Sequence, residues 1–276
     1  MTAAEALRVG EDHLAAHGVE SPRVDAELLL GKVLGVGRTE LYADGAQELT
    51  EEEADEFRAL LERRGRHEPA AYILGEWGFR RLTLRVDPRV LIPRPETEIV
   101  VERCLARLDG NVAPEVLDVG TGSGAIALAL ADEHHGAAVT AFDSSDAALE
   151  VARENAEAAG LADRVRLVPH DLTYGFGSKC FDLIVSNPPY VEPEEIETLQ
   201  PEVRDWEPRP ALVGEGLTEA IAAEALEALK PGAALVLEVA AGRAGAVADR
   251  LRRLGYRDVA ITRDLAGIER VVEGRQ

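Results

Sequence analysis

The chain has 276 residues, 46% of them hydrophobic, enough to bury a substantial core and to hold one catalytic domain beside a smaller one. Its 51 aspartates and glutamates outnumber 30 lysines and arginines, a formal charge of -21, which opposes duplex nucleic acid as a partner because such binding draws on cationic contacts to phosphate. No apolar run approaches the roughly 20 residues of a membrane helix, and Glu5, Glu11 and Asp12 stand where an export signal would be basic and then apolar, so a cytoplasmic protein without a membrane partner is expected.

Residues 2–70 read as helices. Ala6, Leu7 and Leu14 recur at helical spacing, as do Val24, Leu28, Leu29, Val33 and Leu34, and then Phe57, Leu60 and Leu61. Ser21-Pro22 fits a helix start, with Ser21 as N-cap and Pro22 in the first helical position. The acidic run Glu51-Glu52-Glu53 reads as the solvated first turn of a helix. Trp77-Gly78-Phe79 and Leu82 to Val86 then alternate like two short strands around Arg80-Arg81. This divides the chain into a helical domain over 1–75, a hairpin linker over 76–90 and a larger domain over 91–276. Pro95-Glu96-Thr97-Glu98 has the form of a helix start, with carboxylates on the positive end of the dipole. Cys104 and Cys180 lack any paired spacing, so neither a disulfide framework nor a metal site is expected, and both read as small buried hydrophobes.

From Pro114 onward, strand-like runs at 116–119, 138–142, 165–168, 181–185 and 234–239 alternate with alanine-rich helical stretches at 124–133, 145–159 and 217–229. That alternation predicts an α/β fold with a parallel sheet covered on both faces. Two final strands, near 256–262 and 268–272, have no helix-length segment between them and form an expected antiparallel pair.

The chemistry gathers at the ends of the predicted strands. The first runs into Gly120-Thr121-Gly122-Ser123-Gly124, where alternate glycines let the backbone turn sharply and approach a ligand, although close helix packing can also demand them. The second ends at Asp143, about 23 residues beyond, where an acceptor for ribose hydroxyls is expected. Together they indicate an adenosine-containing cofactor, either a dinucleotide or S-adenosylmethionine. The third glycine follows one intervening residue instead of the two of the dinucleotide fingerprint. Asp171, just after the third strand, is placed to accept from an adenine amino group or to cap a turn.

The fourth strand leads into Asn187-Pro188-Pro189-Tyr190. Consecutive prolines fix the backbone, Asn187 contributes a side-chain carbonyl and Tyr190 a flat apolar face, making a slot with converging acceptors for a planar NH2 group. An amide nitrogen is a poor nucleophile because its lone pair is delocalised. Holding both its N–H bonds on the Asn187 side-chain oxygen and the Pro188 carbonyl aims the lone pair at a sulfonium methyl, and such positioning supplies up to about 7–11 kcal/mol.

With these motifs the sequence resembles the bacterial release-factor glutamine methyltransferases through nearly its whole length. The resemblance includes Glu68 to Gly75 with Trp77 and Phe79, Leu91 to Glu98, the glycine turn, Asn187 to Tyr190, and Pro201 to Arg204 before Glu207-Pro208. The stretch Arg94-Pro95-Glu96-Thr97-Glu98 distinguishes this family from a sister group acting on a ribosomal protein. The resemblance implies a class I S-adenosylmethionine-dependent methyltransferase domain, Rossmann-like with a seven-stranded, mostly parallel sheet, behind a helical N-terminal domain that recognises the release factor. It also implies that Gly120 to Gly124, Asp143, Leu172 beside Asp171, and Asn187 line the cofactor, that Asn187 to Tyr190 hold the substrate glutamine, and that Asn187, Pro188 and Tyr190 carry catalysis. The sequence departs from the family pattern at Ala240 and Arg243, at Ser144-Ser145, and in a short loop over 211–217.

Two rival readings remain at this stage. Adenine N6 and guanine N2 are planar amino groups that fit the same slot, so a nucleic-acid amino methyltransferase is the enzyme alternative, opposed by the acidic charge. A catalytically silent scaffold is opposed by the intact glycine turn, Asp143 and Asn187-Pro188-Pro189-Tyr190.

Overall fold

A computed structural model describes every residue except 44, 172, 173, 179 and 215. The chain divides into two compact units, Met1–Glu76 with Leu199–Trp206, and Trp77–Thr198 with Glu207–Gln276.

The first unit is helical: α1 (Ala3–Ala16), α2 (Pro22–Leu34), α3 (Arg38–Ala43), α4 (Glu51–Gly65) and α5 (Ala70–Leu74). Thr2 with Glu5 and Thr50 with Glu53 form reciprocal capping boxes, so the Glu51-Glu52-Glu53 run is the first turn of α4. Leu14, Leu29, Leu30, Phe57, Leu60 and Leu61 make the core. A Cβ at Gly10 would lie 2.9 Å from the Phe57 ring and 3.2 Å from the Ala26 methyl, so glycine there lets α1 close on α2 and α4. The buried face of α2 differs from the one its apolar spacing suggests. Val24 is exposed, whereas Asp25, Ala26, Leu29 and Leu30 are buried. Asp25 accounts for the rotation: it accepts from Arg64 Nε at 2.6 Å, and the same guanidinium donates to Glu202 Oε1 at 2.9 Å in the returning segment. A paired polar group occupies core space that hydrophobic periodicity does not count.

The second unit opens with the hairpin β1 (Glu76–Phe79) and β2 (Leu82–Arg85). Arg80 at its tip has a φ of 53°, and its side chain pairs with Glu133 at 2.6 Å. Next come α6 (Thr97–Leu108), β3 (Glu115–Val119), α7 (Ala125–Glu133), β4 (Ala138–Asp143), α8 (Asp146–Ala158), β5 (Val165–Pro169) and β6 (Phe181–Ser186). After α9 (Pro201–Trp206), which groups with the first unit, the chain forms α10 (Arg209–Leu212), α11 (Leu217–Ala228), β7 (Leu229–Glu238), α12 (Ala244–Leu254), β8 (Arg257–Arg263) and β9 (Glu269–Arg275). The seven-stranded sheet has the order β5-β4-β3-β6-β7-β9-β8. Its first five members are parallel, and β9 is antiparallel to both β7 and β8. Alternate residues serve opposite faces. Val116, Leu183, Val185 and Val236 pack with α6 and α7, whereas Leu117, Ile184, Leu235 and Leu237 pack with α11 and α12.

Two details lie beyond the sequence reading. β7 begins at Leu229, earlier than the expected Ala234, because Leu229 pairs with Phe181 before a register irregularity and the ladder resumes at Leu183 and Ala234. α12 escaped notice because its buried stripe is mostly small: Ala244, Ala248 and Leu251. Cys104 is buried as expected, but Cys180 is exposed, since it stands outside the sheet at the start of β6.

Candidate active site

The strand order reverses at β3: β4 lies on one side and β6 on the other. Such a switch point opens a crevice at the carboxyl ends of the strands. Register brings the ends together, with Val119 of β3 beside Phe142 of β4 and Ser186 of β6. The glycine turn, Asp143 and Asn187 therefore leave three neighbouring strands at one edge. Ser186 strengthens the junction by donating its hydroxyl to the Val119 carbonyl at 2.6 Å.

A cavity of about 220 Å³ lies there, bordered by Gly120, Gly122, Asp143, Asn187, Pro188 and Pro189 among others. Gly120, Gly122 and Gly124 all have positive φ, at 75°, 57° and 84°. A Cβ at either of the first two would meet nothing within 4 Å, whereas one at Gly124 would lie 3.1 Å from Leu128 and 3.4 Å from Ala152. The first two glycines thus leave room for a ligand, and the third serves helix packing. Thr121 and Ser123 are buried and do not border the cavity, and the Thr121 hydroxyl donates to Asp118 Oδ2 at 2.6 Å. Burial pushes the Asp118 carboxyl up to about 7, against the lowering effect of that hydrogen bond.

Asp143 is engaged before any ligand arrives. Its Oδ2 accepts the Gly122 N–H at 2.8 Å and its Oδ1 the Ser145 N–H at 2.9 Å. Burial raises its carboxyl, with those backbone donors acting in the opposite direction. With the Ser144 N–H as a third backbone donor, most of the carboxylate's roughly four acceptor sites are filled, and about one is left for a further donor. The adjacent wall is apolar: Phe142 stacks on His170, ring centroids 4.2 Å apart and 24° between planes. Both line the cavity and were missed from sequence, although each directly precedes an aspartate already singled out at a strand end. Asp171 itself is exposed and does not border this cavity, and Leu172 lies outside the described residues.

Asn155, also missed, is buried in α8. Its Nδ2 donates to the carbonyls of Ser123 at 2.8 Å and Arg85 at 3.1 Å, while its Oδ1 accepts the Arg85 N–H at 2.6 Å. One carboxamide thereby ties the glycine turn to β2.

Around Asn187 to Tyr190 the support is equally specific. A Cβ at Gly214 would lie 2.2 Å from the Pro189 carbonyl oxygen, so only glycine lets the chain after α10 lie against this segment. Val191 donates to Leu212 O at 2.9 Å. Arg243, one of the departures from the family pattern, pairs with Glu192 at 2.8 Å and holds the chain just beyond Tyr190. Tyr190 lines a neighbouring cavity of about 190 Å³, and burial, with the negative charge of Glu238, pushes its hydroxyl up to about 12. Arg94 donates to the buried Glu207 at 2.5 Å, joining the Leu91 to Glu98 stretch to Pro208, which borders the larger cavity.

Comparison with known proteins decides the family. A family model described as PrmC N-terminal domain matches residues 5–75, and one described as methyltransferase small domain matches residues 97–202. The chain is 42% identical to a protein of Caulobacter vibrioides named release factor glutamine methyltransferase, over 99% of this chain and 96% of that one. It is 44% identical to a protein of the same name from Chlorobaculum tepidum, over 96% of this chain and 94% of that one. The chain belongs to the release factor glutamine methyltransferase family. Its fold is also that of an S-adenosylmethionine-dependent O-methyltransferase structure from Thermotoga maritima, with 16% identity, a TM-score of 0.51, and coverage of 68% of this chain and 67% of that one. The protein is an S-adenosylmethionine-dependent methyltransferase of the α/β class. Among the described residues no helix is long and apolar enough to cross a membrane, and no group of His, Cys, Asp and Glu is arranged to hold a metal ion.

Proposed function

We propose that the chain transfers a methyl group from S-adenosylmethionine to the side-chain amide nitrogen, N5, of the glutamine in the GGQ motif of class 1 peptide chain release factors. The observation that carries this reading is the adjacency of a ligand-ready glycine turn and the Asn187 to Tyr190 segment, since Val119 and Ser186 are register partners at the switch point. The 42–44% identity to proteins of that name over nearly the whole chain supports the choice of substrate.

The cavity suits the cofactor. Gly120 and Gly122 present backbone without side chains to open space, Asp143 offers its remaining acceptor site to a ribose hydroxyl, and the Phe142–His170 stack supplies a flat apolar wall. The sequence reading put Asp171 and Leu172 at the adenine end, but Asp171 is exposed and outside the cavity, so the adenine is assigned to the Phe142–His170 wall. When bound, the cofactor supplies an electrophilic methyl group on a sulfonium.

The chain's own work is positioning. Asn187 Oδ1 and the Pro188 carbonyl accept the two N–H bonds of the substrate amide, Pro189 fixes the backbone, and Tyr190 covers one side. Held this way, the nitrogen turns its lone pair toward the methyl group, and no strong base is required because the proton leaves after transfer. Residues 1–75 recognise the release factor, 76–90 link, and 91–276 carry out methyl transfer. The reaction belongs to the cytoplasm, without a nucleic-acid or membrane partner. Incubation with isotope-labelled cofactor and purified release factor, followed by peptide mass analysis, should place one methyl group on the GGQ glutamine. Label on any other residue, or none, would refute the assignment.

A further inference from the structure

Asn187 offers the substrate an oxygen only if its carboxamide faces the right way. The two ends of a carboxamide are nearly the same size but opposite in hydrogen-bonding sense. Turned over, Asn187 would aim an NH2 group at the substrate's NH2 group, donor against donor.

Behind Asn187 stand two buried groups: Thr97, from the Arg94 to Glu98 stretch, and Glu238, which no motif assigns. Its Nδ2 lies 3.4 Å from the hydroxyl oxygen of Thr97, the first residue of α6. Thr97 in turn donates that hydroxyl's proton to Glu238 Oε2, at the end of β7, at 2.7 Å. Thr97 is 4% exposed and Glu238 fully buried, so water does not offer alternative partners. A hydroxyl has one proton. Once Glu238, an acceptor only when ionised, has taken it, the Thr97 oxygen can only accept from Asn187, and the end of the carboxamide that faces Thr97 must be the nitrogen. The 3.4 Å link is long and adds little binding energy; its effect is directional.

We infer that Thr97 and Glu238 are positioning residues that set the Asn187 carboxamide with Nδ2 inward and Oδ1 toward the reacting amide, an inference that rests on the role proposed above for Asn187. Protonation of Glu238 breaks the constraint. A neutral carboxyl can donate to Thr97, whose own proton is then free to reach the Asn187 oxygen and stabilise the inverted amide.

The charges facing Glu238 come from every neighbouring element. Burial most strongly raises its pKa and Glu96, just before α6, adds to this; the Thr97 hydrogen bond, Arg270 on β9 and Arg94 before α6 lower it, and the balance stands at about 7. Tyr190, beyond β6, is neutral in this range. Orientation is therefore expected to follow pH through neutrality.

Thr97→Val, Thr97→Ser and Glu238→Gln test the relay. Thr97→Val should lower kcat at least tenfold, on the order of 1.4 kcal/mol, with affinity for S-adenosylmethionine within about twofold, and Thr97→Ser should restore most of the rate. The wild-type kcat should fall as pH drops through about 7, and this inflection should vanish in Glu238→Gln, whose carbonyl still accepts from Thr97 but does not titrate. The NMR signals of the Asn187 side-chain NH2 provide a readout independent of the substrate. They should shift with pH in the wild type, not in Glu238→Gln, and should move on Thr97→Val. Absence of wild-type methylation with these shifts intact would count against the proposed function alone. A folded Thr97→Val protein with wild-type kcat and unchanged Asn187 signals would overturn the relay.

Discussion

Gly122 donates its backbone N–H to Asp143 Oδ2 at 2.8 Å, so the turn and the carboxylate proposed to hold the cofactor are one hydrogen-bonded unit. Asp143→Ala removes a charged acceptor and also frees the turn. Affinity for S-adenosylmethionine should fall by on the order of 1.5–3 kcal/mol. Asp143→Asn, which keeps one acceptor for Gly122 or Ser145, should lose less. Calorimetry giving wild-type affinity for the alanine variant would remove Asp143 from the site.

Asn187→Ala deletes one of the two acceptors proposed to align the substrate nitrogen. Turnover should fall by about 10²-fold or more, the scale of a misplacement by an ångström, while the circular dichroism spectrum stays native. Asn187→Asp keeps an acceptor but adds a charge beside the cationic cofactor, and should be slow for a different reason. Near-wild-type turnover of the alanine variant in a radiometric assay would refute the positioning mechanism.

The same slot should distinguish glutamine from glutamate in the substrate. A carboxylate is acceptor-only and would meet the Asn187 and Pro188 oxygens without a proton to share. A release factor carrying glutamate at the target position should therefore compete poorly with the glutamine form, and equal inhibition constants would contradict the acceptor geometry.

Burial holds two carboxyls, Asp118 and Glu238, up at about 7. Each binds its proton more tightly folded than unfolded, so the stability it contributes is complete below an unfolded pKa of roughly 4 and is lost as pH rises through about 7. Carboxyls lowered by partners, such as Glu133 beside Arg80, act below that window. Urea midpoints should decline between pH 5 and 8, less steeply in Glu238→Gln. A wild-type midpoint flat across that range would show that these groups ionise in the fold as they do in the unfolded chain.

Residues 1–75 are proposed to dock a second surface of the release factor, with complementary charge speeding encounter more than deepening affinity. A chain starting near Gly75, shown to be folded, should still bind S-adenosylmethionine yet methylate intact release factor at least tenfold more slowly. Raising salt should mainly lower the association rate of the full-length enzyme. Equal rates for the truncated and full-length enzymes would end the recognition role of the N-terminal unit.

The sequence by itself determined the layered architecture and marked the candidate site segments at the strand ends. Apolar runs alternating with alanine-rich stretches specify parallel strands and covering helices, and Gly120 to Gly124, Asp143 and Asn187 to Tyr190 each follow such a run directly, so local pattern suffices to find them. It also carried Thr97, but as part of a helix start and of the family-distinguishing Arg94 to Glu98 stretch, with no partner named for its hydroxyl. Tertiary structure decided which strand ends are neighbours, because β3 pairs with both β4 and β6 through register that no local window contains. It decided that the third glycine serves packing while the first two face open space, a difference set by Leu128 and Ala152 and invisible in the alternation itself. It alone brought Thr97, Asn187 and Glu238 together from three elements. Side-chain hydrogen bonds in a buried site act over a few ångströms whatever the separation along the chain, and for Thr97 and Glu238 that separation is 141 residues.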